Sequence, residues 1–144
     1  MAIKLKFTGF NDLVERIQSA GGAVDKAVET CMKESADIMD AELKAQMQKA
    51  NVEQRLISSM DAPQVFQDGN TFVAKVGYEK GEYDPKNPSD AYKVIFLNYG
   101  TPKRTKHGEV KARGFIQKAR KKATPQIKKK QEETLNEILA RLEQ

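Results

Sequence analysis

Ala23-Val24-Asp25-Lys26-Ala27-Val28-Glu29-Thr30-Cys31-Met32-Lys33-Glu34-Ser35-Ala36-Asp37-Ile38-Met39-Asp40-Ala41-Glu42-Leu43-Lys44-Ala45-Gln46-Met47-Gln48-Lys49 decides the fold. Val24, Ala27, Val28, Cys31, Ser35 and Ile38 recur at three- and four-residue steps, the spacing of one helical face. Met32, Ala36, Met39, Leu43 and Met47 make a second stripe on the adjacent face. Neither Pro nor Gly interrupts the run, so the pattern predicts one helix over 23–49. At about 1.5 Å per residue that helix is about 40 Å long. Two neighbouring apolar stripes imply contact with two surfaces. One reads as a sheet. The other is the C-terminal helix or a neighbouring subunit, and in the second case Met39, Leu43 and Met47 are the interface, since Met suits adaptable contact surfaces.

Upstream, Ile3, Leu5 and Phe7 alternate with Lys4 and Lys6, the period of a strand over 2–7. Asn11 is a candidate N-cap for a short helix through Gln18, closed by Gly21-Gly22. Downstream, 51–62 is a connection. Residues 63–67 and 71–78 read as a hairpin, with Asp68-Gly69-Asn70 as the turn and Gly supplying positive φ. Gly81 to Asp90 is rich in Pro, Gly, Asn and Ser and reads as a loop. Tyr92 to Tyr99 carries Val94-Ile95-Phe96-Leu97, which suits a strand buried on both faces; a helical turn is the alternative. Residues 100–114 have no period. Phe115, Ile116 and Ala119 open a short helix. Thr124-Pro125 opens another, with Thr as cap and Pro in the first turn, and Ile127, Leu135, Ile138, Leu139 and Leu142 on its inner face.

A chain of 144 residues fits one domain over 1–144. With one cysteine, Cys31, no intrachain disulfide forms, and a disulfide scaffold is excluded. The N-terminal alternation is not the apolar core of a signal peptide, and no run approaches the length of a membrane span. A reducing cytosol is the expected compartment. Net charge is +5, but it is unevenly placed. Residues 1–100 hold 12 Lys/Arg against 15 Asp/Glu; residues 101–130 hold 12 Lys/Arg against Glu109 alone. Such a block faces phosphate, an acidic protein or solvent.

No catalytic constellation is present, so an enzyme is not expected. His107, the one histidine, stands among Lys and Arg without a second ligand at metal spacing. Cys31 lies on an apolar stripe and reads as a buried thiol. Asp37 and Asp40 share a helix face with lysines, the pattern of a solvated side. No Gly-rich phosphate cradle occurs, and no cofactor is implied. Nucleic-acid binding through 101–130 is the alternative function. Lys103, Arg104, Lys106, Lys111, Arg113, Lys118, Arg120, Lys121 and Lys122 supply cations, but only Phe115 interleaves with them, too little for a single-strand stacking platform.

Three motifs occur in order: Arg55-Leu56-Ile57-Ser58-Ser59, Phe96-Leu97-Asn98-Tyr99-Gly100-Thr101 and Gly114-Phe115-Ile116-Gln117-Lys118-Ala119. With the long helix and hairpin before them and a basic segment between the last two, the chain resembles the neck or tail-joining proteins of tailed phages and prophages, the gene-product-ten-like family of lambdoid phages. The resemblance covers most of 10–120. Glu53-Gln54 stands where that family has Thr-Gly, Asn98 where it has an acid, and Gly114 and Lys118 where it has prolines. It implies an α+β fold, with the long N-terminal helix and the C-terminal helix packed on a small, mainly antiparallel sheet. Leu56, Ser59, Tyr99, Gly100, Thr101, Phe115 and Ala119 are its structural anchors. It further implies a ring of self-associated subunits, a hexamer or dodecamer, at the head–tail junction of a virion assembled in the bacterial cytoplasm. The implied partners are connector and tail proteins and non-specifically held channel DNA, with no membrane. The loops 79–90 and 100–114 are expected to be mobile, because 100–114 has Val110 as its one sizeable aliphatic and buries too little to offset ordering at about 1–2 kcal/mol per residue. Tyr99 and Phe115 are expected to anchor its two ends. Lys103, Arg104, Lys106, Lys111 and Arg113 are the expected contacts to partner or DNA.

Overall fold

A computed structural model describes residues 2–6, 22–69, 71–79, 84–102 and 108–142. The expected helix over 11–18, Phe7 and His107 lie outside the described residues, as do Lys103, Arg104 and Lys106. The elements run β1 (Ala2–Lys6), α1 (Gly22–Lys49), α2 (Gln54–Ser58), β2 (Asp61–Asp68), β3 (Thr71–Gly77), α3 (Asp90–Tyr99) and α4 (Phe115–Leu142). This is the α+β class, with long helices near both ends and an antiparallel sheet of order β1-β3-β2.

The sheet follows from alternation and turn chemistry. Asp68 pairs with Thr71, so the hairpin closes over two residues, with Gly69 at φ +61°. Phe72, Ala74 and Val76 of β3 enter the core, and Val65 packs against it opposite Ala74. β2 is longer than the sequence pattern of 63–67. Its register shifts between Asp61 and Gln64, around Pro63. Proline has no N–H for the ladder and is tolerated at such an irregularity on an edge strand. On the other face, Lys75 Nζ lies 5.1 Å from the centroid of the Phe66 ring.

The long helix forms as its periodicity predicts, and the described residues of both stripes pack within the chain. Val28, Cys31 and Met32 are buried, as are Met39 (4% exposed), Leu43 (2%) and Met47 (0%). The expectation that Met39, Leu43 and Met47 form a subunit interface is therefore overturned. α1 is sandwiched between the β2–β3 hairpin and α4. Met39 and Leu43 border a small void with Val76, Ile116 and Ala119, so sheet and α4 meet over this stripe. Ser35 is fully buried and donates its hydroxyl to Cys31 O at 2.8 Å, which satisfies the one polar member of the first stripe.

Residues 90–99 form a helix, not a strand. Ala91, Val94 and Asn98 are its buried residues, spaced i, i+3, i+7 as one helical face. Tyr92 and Phe96, one turn apart, are ring neighbours at 6.5 Å. The C-terminal region is also corrected. Residues 115–142 are one continuous helix with Pro125 inside it. Thr124 does not cap a new helix; its hydroxyl donates back to Arg120 O at 2.6 Å. Pro125 is exposed, so the backbone group it leaves unpaired faces water. α4 runs antiparallel to α1, with Lys130 Nζ 2.9 Å from Glu34 Oε2.

The first motif holds the bottom of the core. Leu56 is buried, and Leu56 O accepts from Ser59 Oγ (2.9 Å) and from the Tyr78 hydroxyl. Burial pushes the Tyr78 phenol up to about 12 from its ordinary 10.0, against the hydrogen bond to Ser59, which lowers it.

Leu43→Ala should cost about 2–5 kcal/mol in chemical denaturation and leave the native mass unchanged, because the residue serves the monomer core. Pro125→Ala should stabilise the chain by up to about 3 kcal/mol; no gain would mean that α4 is not continuous there. Folding favours protonated Tyr78, so its contribution is intact below pH 10 and is lost as pH rises from 10 towards about 12. The loss should be on the order of 2–3 kcal/mol. It is read as the difference between the alkaline stability profiles of the native chain and Tyr78→Phe.

A candidate partner-binding corner

The chain turns sharply where α3 ends. Gly100 sits at φ +78°, and a Cβ there would lie 2.7 Å from Val110 O and 2.8 Å from Ala112 N. Both are backbone atoms, so the position requires glycine twice over, for conformation and for space. Thr101 N–H donates to Val110 O (2.9 Å), and Val110 N–H donates to Thr101 Oγ1 (3.0 Å). These two bonds close the neck of the basic segment. The returning strand of chain then satisfies the end of α3: Arg113 N–H donates to Leu97 O and Gly114 N–H to Asn98 O, each at 3.1 Å. Helix ends leave such carbonyls unpaired, and these are the partners that take them.

Asn98 joins the two motifs directly. Its side chain is 1% exposed, and its Oδ1 accepts the Ile116 N–H at 2.9 Å in the first turn of α4. Asn98 Nδ2 is buried without a partner, at a cost of about 1–3 kcal/mol. Phe115 (0% exposed) and Ala119 (1%) fix α4 on the core just beyond.

Arg113 is the third tie. Its Nη1 donates to Ala50 O (3.0 Å) and Asn51 O (3.2 Å), the last carbonyls beyond α1. Asn51 has φ +56°, and Val52 N–H reaches back to Met47 O at 3.0 Å. A left-handed residue closes α1, and a cation sits at its negative end. Arg113 is thus a cap, not a free contact in a mobile loop, which corrects that part of the sequence reading. Tyr99 is also corrected: it is 58% exposed rather than buried. Lys111 is exposed, as expected.

The corner carries the exposed Tyr99 ring on this hydrogen-bonded base. The surrounding cleft holds about 500 Å³ and is lined by Tyr99, Thr101, Pro102, Val110 and Lys111. Cys31 is buried on the floor of a separate groove of about 580 Å³ between α1 and α4. Among the described residues no group of three or more His, Cys, Asp or Glu is arranged to hold a metal, and no helix is long and apolar enough to cross a membrane. Little in the local pattern marks Asn98 or Arg113 as caps. The available signal was a polar residue inside the apolar run 94–99, since a buried amide needs hydrogen-bond partners.

No family model, curated protein or solved structure matches the chain.

Gly100→Ala should destabilise the fold by about 1–3 kcal/mol or more, from the φ it forces and the contact with Val110 O. Arg113→Ala should cost about 1–3 kcal/mol by leaving two helix-end carbonyls unpaired. Arg113→Lys should recover less than half of that, because a single ammonium does not reproduce the guanidinium fork. Thermal melts check all three.

Proposed function

We propose that this chain is a structural, non-enzymatic protein of the head–tail junction of a tailed phage or prophage. In this reading it is a neck or tail-completion subunit that associates with copies of itself in a ring around the DNA channel of the virion. One observation supports this most. The two motifs that carry the resemblance, Phe96–Thr101 and Gly114–Ala119, are bonded into one corner through Asn98 and Gly114. In that corner Gly100, Thr101 and Phe115 have backbone and packing roles, as befits motifs that preserve a shape rather than a chemistry.

With Met39, Leu43 and Met47 in the core, subunit and partner contacts belong to other surfaces. The exposed large hydrophobic residues among those described are Tyr99, Phe66 and Leu139. Tyr99 is favoured. Tyrosine is enriched among residues that dominate interface energetics, and this one stands on a rigid base beside the basic segment. Connector and tail proteins are the partners in this reading.

The test is Tyr99→Ala in the phage or prophage that encodes the chain. Its melting temperature should stay within error of the native protein, because the side chain is exposed. Joined particles counted by electron microscopy should fall at least about 30-fold, the equivalent of roughly 2 kcal/mol at an interface hot spot, with separate heads and tails accumulating. Normal particle yields from Tyr99→Ala would remove the corner from the interface. Normal yields from a gene deletion would remove the junction role altogether.

A further inference from the structure

The strongest charge on the described surface is in the first half of α4, not in the corner. Between Phe115 and Lys130 the helix has Lys118, Arg120, Lys121, Lys122, Lys128, Lys129 and Lys130 and no acid. Lys130 is paired with Glu34. Arg120 lies on the sheet-facing flank, beside Met39, Leu43 and Val76. The other five are exposed and have no ion pair among the described residues. At about 100° per residue, positions 118, 121, 122, 128 and 129 fall within a face about 120° wide. The centre of that face is opposite the buried Ile116, Ala119, Ala123 and Ile127. It is about 16 Å long, from the helical rise.

A sixth lysine joins from α1. Lys49, at the exposed end of that helix, lies beside Lys122, and the like charge of that neighbour holds the Lys49 ammonium below its usual range. Packing brings two like charges together here, and Glu42 opposes them only in part. Like charges one turn apart, as at Lys118 and Lys122, also destabilise a helix. A free chain gains nothing from this arrangement; a bound polyanion relieves it.

We propose that Lys49, Lys118, Lys121, Lys122, Lys128 and Lys129 form a binding face for the phosphate backbone of duplex nucleic acid, without sequence specificity. The character of the face selects this partner. Every apolar residue of 115–130 except Pro125 is buried, so the face has no apolar anchor of the kind a protein interface uses, and lysine is depleted at such interfaces. No aromatic ring is present for unpaired bases to stack on. The cations are all lysines, which bind phosphate as point charges without a fixed planar geometry. A stripe of about 16 Å runs past about five phosphates of one strand, at about 3.4 Å each along the axis. Binding of this kind needs no ring and holds whether or not the chain belongs to a head–tail junction.

The test is fluorescence anisotropy of a labelled duplex of about 20 base pairs, titrated between about 50 and 200 mM salt. Six phosphate contacts predict a fall in affinity of about 10³-fold over that range and a log–log slope near −5. Lys118→Gln, Lys122→Gln and Lys129→Gln combined should reduce the slope by about half, and the corresponding Lys→Arg triple should keep it, since the slope counts charges. Lys26→Gln with Lys33→Gln, on the far half of α1, should leave it unchanged. Absence of duplex binding at the lowest salt, or an unchanged slope in a folded Gln triple, would overturn the proposal. So would tighter binding to single strands, to polyglutamate or to phosphatidylserine vesicles than to the duplex.

Discussion

Helix α1 has two apolar stripes and a single chain with which to cover them. A helix with one stripe packs on one surface and leaves the rest to water. Here the sheet and α4 both bear on the same helix. Leu43 and Met47 are as well buried as Val28 and Cys31, and burying each large side chain is worth about 1.5–3 kcal/mol. That demand sets the rest of the architecture. α4 has to return antiparallel along α1, so the chain between them has to reverse close to the C-terminal end of α1. The position of the corner, the length of α4 and the cation at the end of α1 all follow from that return.

The corner is a problem in polar satisfaction. Three helix termini meet within a few residues, and each brings backbone groups without intrahelical partners. Arg113 serves the end of α1, the backbone of 113–114 serves the end of α3, and Asn98 serves the start of α4. Gly100 lets the strands approach closely enough for the Thr101–Val110 bridge. The Asn98 amide oxygen accepts the Ile116 N–H, and the unpartnered Nδ2 is the cost of having an amide there.

α4 is divided by charge. Its first half combines buried Phe115, Ile116, Ala119, Ala123 and Ile127 with an outer face of lysines; its second half brings Glu132, Glu133 and Glu137. Because α4 is antiparallel to α1, the lysine half lies beside Lys49 and the acidic half beside the start of α1. The two-helix layer thus has a basic end and a more acidic end, and the Lys130–Glu34 pair lies between them.

The sequence by itself determined α1, through two apolar stripes and the absence of Pro and Gly over 23–49, and it determined the hairpin, through alternation around Gly69. It located Phe115 as an anchor at the start of the C-terminal helix and the excess of positive charge in 101–130. These are short-range properties, set by helical and strand periods and by φ. Only the tertiary structure decided that 90–99 is a helix, because Val94-Ile95-Phe96-Leu97 is apolar enough for a buried strand and for a helix with one buried face, and the choice depends on what lies opposite. It also decided that Pro125 sits within one helix, since a proline is tolerated or not according to whether its unpaired carbonyl reaches water. Above all it decided what covers Met39, Leu43 and Met47. A stripe specifies that something apolar must pack on it; whether that is the same chain or another depends on how the chain returns, which no local pattern encodes.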